Sequence, residues 1–229
     1  IVPGDYFWKT AKDLILSAAG GKISPKDQQA IDAHKFIDYH VVFTFDSPQF
    51  FPRCVSPDGQ YADCPSRAKP ENAKNTVLPL EKQTWKLDPV TGEAYTRSEK
   101  VTVWLTVPKN RKGAAPLVII GHGYTGTKLD PLCYGGFFAR HGVASIGMEN
   151  VSHGIGLPAA ELELFRAFFK PPGLEPFFNA LVNNHRASDQ DGDGVPDSGA
   201  DFWTSLIFHT RDVVRQTAVD YMQLVRPPA

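Results

Sequence analysis

The sequence predicts an α/β fold, and three observations within residues 116–148 carry the prediction. Pro116-Leu117-Val118-Ile119-Ile120 is a short, continuous apolar run of the kind that forms a central strand of a parallel sheet, buried on both faces. It leads into a glycine-rich stretch, Gly121 to Gly126, and then into a helical stretch from Pro131 to Arg140 that His141-Gly142 stops. Val143 to Met148 reads as a second buried strand. Strand, loop, helix, strand in that order is a parallel βαβ unit, which requires an α/β sheet.

The other elements follow in chain order. Tyr6 to about Ala19 reads as a helix stopped by Gly20-Gly21. Ser24, Pro25 and Asp27 suit the N-cap, first and third positions of a second helix, which runs to about Phe36. Tyr39 to Phe45 is rich in β-branched and aromatic residues and reads as a strand, whereas residues 46–83 look irregular. Val101 to Val107 alternates as a strand, and Pro108 ends it. Two apolar helical stretches, around Leu162–Phe169 and Leu174–Val182, are separated by Pro171-Pro172-Gly173. Thr204 to Arg226 carries apolar or small residues at 206, 210, 213, 214, 217, 221, 224 and 225, which is helical spacing.

Composition excludes several classes. The chain has 229 residues, net charge −1, 21% charged and 42% hydrophobic residues, which suits a globular protein rather than a disordered, collagenous or coiled-coil one. Near-neutral charge argues against a nucleic-acid partner. No apolar run approaches the ~18 residues of a transmembrane helix.

Cys54 and Cys64 flank a loop with the turn signal Pro57-Asp58-Gly59. That turn folds the two cysteines together, and a Cys54–Cys64 disulfide is expected; the alternative is two reduced thiols. A disulfide places the protein in an extracellular or periplasmic compartment. Cys133 is then left over.

Residues 116–123, Pro116 through Gly123, resemble the third strand and oxyanion loop of the α/β-hydrolase fold, whose lipases and esterases carry a His-Gly-x-x-Gly type motif there. Gly142–Met148 is similar to that family's fourth strand, Val101–Val107 to its opening antiparallel strands, and Thr204–Arg226 to the helix before its nucleophile strand. The resemblance covers roughly residues 84–229. It implies a partial α/β-hydrolase sheet with flanking helices, containing the strands up to the one before the nucleophile strand. It also implies that the backbone N–H of Tyr124, shaped by His122 and Gly123, is the oxyanion donor; otherwise the stretch is a tight turn with a structural His122. Residues 1–83 then hold the N-terminal helices, first strand and disulfide loop, and 84–229 the core with an apolar insertion at 155–185.

No serine stands in the Gly-x-Ser-x-Gly frame of the family's nucleophile. Ser152 comes nearest, within Asn150-Val151-Ser152-His153-Gly154, but follows the strand before the expected one and is not followed by a clean helix start. The nucleophile is therefore expected in a C-terminal part beyond Ala229, which is also the chain's first expected partner, with a small-molecule or lipid ester as substrate. A half sheet leaves one edge of its third strand open.

The stretch Asp189 to Asp197 is the sharpest local signal. Carboxylates at Asp189, Asp191 and Asp193 converge where Gly194 allows a sharp turn, and Val195 offers its carbonyl. Asp197 sits at the ninth position; Ala200 stands at the twelfth, where an EF-hand has Glu, and Asp201 follows one residue late. The pattern is similar to calcium loops of EF-hands and of thrombospondin-type repeats. It implies a structural Ca²⁺ site over 189–201; a solvated acidic turn is the alternative. The aromatic-rich insertion reads either as a lid over a cleft or as core. Together these features suggest a secreted carboxylic-ester hydrolase of lipase or esterase type. The alternative is a non-catalytic, calcium-stabilised binding or surface module.

Overall fold

A computed structural model of the protein describes residues 1–18, 24–62, 76–170, 173–182, 185–191 and 193–226. The fold is mixed α/β, with flanking helices and a sheet of both parallel and antiparallel strands. The chain forms two compact units that interleave along the sequence. Several expected features lie outside the described residues: the stop at Gly20-Gly21, the Asp27 side chain, the disulfide partner Cys64, Pro171-Pro172, and Gly192 of the acidic loop.

The first unit comprises Ile1–Thr44, Thr102–Glu149 and Pro158–Asn183. Its elements are β1 (Val2–Pro3), α1 (Gly4–Ala18), α2 (Pro25–Ala33), most of β2 (Ile37–Gln49) and β6 (Arg97–Pro108), β7 (Leu117–Ile120), α3 (Asp130–Arg140), β8 (Ala144–Met148), α4 (Ala159–Phe169) and α5 (Glu175–Val182). Helix α2 starts after Ser24, whose carbonyl accepts the Gln28 N–H at 2.9 Å. The sheet order is β1-β2-β6-β8-β7. β6 pairs antiparallel with β8, from Val103↔Met148 to Thr106↔Ser145. β7 pairs parallel with β8, from Leu117↔Ala144 to Ile120↔Gly147, with α3 as the crossover. The expected βαβ unit is therefore present.

The sequence reading of the two strands needs one correction. β8 is buried at every position, as a central strand should be. β7 is equally apolar but is the outermost strand of the described sheet, and Leu117 is 53% exposed. A strand paired on one side only keeps part of its surface in water, however apolar its residues are.

The core of this unit is aromatic. Phe7, Trp104 and Phe177 pack edge to face with centroids 5.5–5.7 Å apart. Phe177 brings α5 into that core, so the second helix of the insertion is structural packing. Helix α4 buries no residue; its Phe165 and Phe169 stack on Phe178 of α5. Two histidines are enclosed among the rings. Trp104 Nε1–H donates to His40 Nδ1 at 3.1 Å, and His34 Nε2 lies 2.5 Å from the Leu132 carbonyl. Burial pushes the pKa of His40 down to about 3, with the charge of His34 adding to the shift. Burial also lowers that of His34, against the opposing hydrogen bond to Leu132.

The second unit comprises Phe45–Val101, Asn150–Leu157 and Asn184–Ala229. Residues 46–83 are less irregular than the sequence suggests. β2 continues to Gln49, and β3 (Cys54–Val55) pairs with both β4 (Tyr61–Ala62) and β5 (Thr76–Val77) in a small sheet. Two-residue strands are too short to leave a periodic signal. The expected Pro57-Asp58-Gly59 turn does close β3 onto β4, with the Ser56 N–H donating to Gln60 O at 2.9 Å.

Helix α6 (Ile207–Val225) confirms the helical spacing but not the buried face. It buries His209, Asp212, Val213, Gln216, Thr217 and Asp220, and leaves Ile207, Phe208, Met222 and Val225 exposed. The buried face is polar because each group meets a partner. Asp220 accepts from Ser47 at 2.6 Å, from Gln49 at 3.1 Å and from Arg186 at 2.6 Å. Asp212 accepts the Trp85 backbone N–H at 2.9 Å, and His209 Nδ1 lies 2.8 Å from the Gln83 carbonyl. Arg186 also donates to Glu99 at 3.0 Å. Burial raises the pKa of Glu99, and the guanidinium charges of Arg186, Arg53 and Arg97 more than reverse that, holding it well below the carboxylate range. Among the described residues, no helix is long and apolar enough to cross a membrane.

Candidate functional site

Two loops carry the sequence-derived candidates, one in each unit. The first leaves the carboxyl end of β7, the position at which open α/β sheets bind ligands. His122 and Lys128 are buried, and Gly123 to Thr125 between them are exposed. His122 is buried, with Nδ1 2.9 Å from the Gly123 carbonyl. The Gly126 N–H donates to the same carbonyl at 2.9 Å, so Tyr124 and Thr125 are the central residues of a tight turn. Tyr124 is 54% exposed. Thr125 has φ 60°, a left-handed conformation that is strained for a β-branched residue. The candidates Tyr124, His122 and Gly123 thus lie together at one strand end. Asp130 opens the helix that follows; burial raises its pKa, and the charge of His122 opposes the shift.

The strongest charge feature of this loop is a buried ion pair. Lys128 and Glu149 form an ion pair in which both side chains are 0% exposed. Glu149 directly follows β8, and its Oε1 also accepts the backbone N–H of Lys128 at 3.2 Å. Glu149 directly follows an apolar strand, but Lys128 stands in a polar stretch eight residues past Ile120, and neither position reveals a partner 21 residues away.

Ser152, the nearest approach to a nucleophile frame, has φ 66° and is buried. Its carbonyl accepts the Gly199 N–H at 2.8 Å, and the next helix begins only at Ala159. Asn150, of the same stretch, accepts a hydrogen bond from Tyr221 Oη at 3.0 Å.

The second loop is the acidic one. Asp189, Asp191 and Asp197 each bring one carboxylate oxygen within 4.8 Å of the others. Gly194 supplies the turn with φ +87°. Its N–H donates to Asp189 Oδ2 at 2.9 Å, the Asp193 N–H donates to Asp191 Oδ1 at 3.1 Å, and the Gln190 N–H donates to Asp197 Oδ2 at 2.7 Å. A bridge between Ser188 and Asp197 closes the base of the loop.

The other expected ligands are placed differently. Asp193 Oδ1 accepts the Val195 N–H at 2.7 Å. Asp201 is buried, and its Oδ2 lies 4.0 Å from His209 Nε2. The three-carboxylate cluster is thus Asp189, Asp191 and Asp197, without Asp193 and Asp201. These three carboxylates could hold a metal ion through oxygen ligands. No protein-family model, no curated protein and no solved structure matches the chain.

Proposed function

We propose that the chain is the oxyanion-bearing part of a secreted carboxylic-ester hydrolase of the α/β-hydrolase type. One observation carries the reading: the Gly121–Gly126 turn sits at the end of a strand that runs parallel to a fully buried neighbour, which is itself antiparallel to β6. That arrangement suits the third, fourth and opening strands of the hydrolase sheet. The apolar β7, paired on one side, suits a strand whose other edge receives the nucleophile strand. In this reading, a serine hydroxyl from outside these residues gives its proton to a base, also outside them, as its oxygen bonds to the ester carbonyl carbon. The carbonyl π electrons move to its oxygen, and the Tyr124 N–H donates to the resulting oxyanion. One such donor is worth about 3 kcal/mol in the transition state.

A Ca²⁺ ion held by Asp189, Asp191 and Asp197, with Asp193, Val195 and Asp201 as further expected ligands, plays a structural role. Extracellular calcium fills even a millimolar site. A Cys54–Cys64 bridge belongs to the same extracellular or periplasmic setting.

The test is turnover of p-nitrophenyl esters by the full-length natural protein and by residues 1–229 alone. The full-length protein is expected to be active and labelled by a phosphonate at a serine outside these residues, and the isolated chain inactive. A full-length protein inert across short- and long-chain esters, with calcium present, overturns the reading. The acidic loop then favours a calcium-stabilised binding module.

A further inference from the structure

We propose that Glu149 is the positioning residue of the Gly121–Lys128 loop, a role that rests on reading that loop as an oxyanion donor. The loop hangs from β8 at both ends. At its start, the parallel ladder sets Ile120 opposite Gly147. At its end, Glu149 grips Lys128 twice, by Oε1 on the backbone N–H at 3.2 Å and by Oε2 on the ammonium. Gly147 and Glu149 are two residues apart, about 6.6 Å along a strand. Both anchor points therefore move as one rigid piece.

The packing between them is close. A Cβ on Gly147 would lie 2.8 Å from Pro131 Cδ and 3.2 Å from the Lys128 carbonyl. The Lys128 end of the loop and the start of α3 therefore pack directly on Gly147.

Burying both charges is poorly explained by stability. A buried ion pair is often matched or bettered by apolar residues of the same volume. What apolar residues cannot reproduce is the acceptor for the Lys128 backbone N–H. The ammonium aims the carboxylate, and its other oxygen fixes the backbone. A donor for a developing oxyanion needs to be held within about 0.5 Å of its productive position, and a misplacement of 1 Å costs about 100-fold in rate.

Two double variants of the full-length protein separate the roles. Lys128→Met with Glu149→Leu removes the charges and the acceptor. Lys128→Met with Glu149→Gln removes the charges but keeps a carbonyl oxygen for the backbone N–H. With both folded, as shown by their melting temperatures, the Leu form is expected to lose about 100-fold in kcat with KM unchanged, and the Gln form to stay within tenfold of wild type. Equal kcat in the two forms overturns the proposal. Glu149→Asp provides a second comparison if the Leu form does not fold: it keeps the charge but draws the carboxylate back from the N–H, and its kcat should fall while its KM holds. Hydrogen exchange of the 121–128 amides makes the outcome independent of activity. Faster exchange in the Leu form, or in Glu149→Asp, than in the Gln form supports positioning. Equal exchange refutes it, even where every variant is inert on esters and only the oxyanion reading has failed.

Discussion

Both candidate loops turn on a residue with left-handed backbone, and they fill that position differently. The acidic loop uses Gly194, for which φ +87° carries no steric penalty. The loop after β7 puts Thr125 at φ 60°, although glycines stand at 123 and 126. The acidic loop is internally satisfied, its carboxylates accepting N–H groups from within the loop. The loop after β7 is held from outside, by the residue that follows β8. A loop that carries its own hydrogen bonds is suited to collecting oxygen ligands around an ion. A loop that is braced externally can keep a strained turn, and strain at a strand end is a feature of sites rather than of connections.

The sharpest way to break this comparison is Glu149→Leu alone. It leaves the Lys128 ammonium buried without its counter-charge and should destabilise the protein by about 3–5 kcal/mol. Adding Lys128→Met should recover most of that loss in a urea melt. A single variant as stable as wild type would show that the loop needs no external brace.

Calcium tests the other side. Chelation should lower the melting temperature, by an amount equivalent to about 2.7 kcal/mol if the free ion stands at 100 times its dissociation constant. Asp189→Asn with Asp191→Asn should abolish the response to EDTA. An identical melting curve with and without chelator removes the structural ion.

Acid separates the two units. His40 is neutral in the fold with its pKa near 3, whereas the unfolded chain takes up that proton near pH 6.5. Between those values the unfolded state binds more protons, so stability falls as pH falls through this window. The slope approaches about 1.4 kcal/mol per pH unit for this histidine. His34 adds to it in the same direction. Trp104 fluorescence, reporting the first unit, should follow this loss, and His40→Gln should flatten it. A stability that is level from pH 6.5 to 4 contradicts the buried neutral pair.

The smallest effects belong to the turns themselves. Gly194→Ala should cost about 1 kcal/mol, and Thr125→Gly should be neutral or stabilising by a similar amount. Matching losses at both positions, measured by chemical denaturation, would erase the distinction between the loops.

How much of this was legible follows the range of each interaction. The βαβ unit, the Pro57-Asp58-Gly59 turn and the acidic loop were readable because their signals lie within a few residues. The buried face of α6 was not. Gln216 and Asp220 look like surface positions until Arg186, Ser47 and Gln49 arrive from distant segments. The open edge of β7 was expected, but its composition suggested burial on both faces; composition reports the apolar content of a strand, not how many neighbours it has. The Lys128–Glu149 pair stayed hidden for the same reason as the α6 face: each charge looks ordinary until its partner is placed.

The Asp220 network sets an order of events in the making of this protein. Its carboxylate gathers Ser47 from 173 residues upstream, Gln49 from 171 and Arg186 from 34. A growing chain synthesises the cation and both upstream donors long before it synthesises the anion that joins them. Until residue 220 leaves the ribosome, Arg186 can meet Glu99 and Gln49, but the second unit lacks the group on which its buried polar face converges. Its closure is thus a late, cooperative step of high contact order. Shortening α6 before residue 220 would undo a set of bonds spread along the chain, not just the end of one helix.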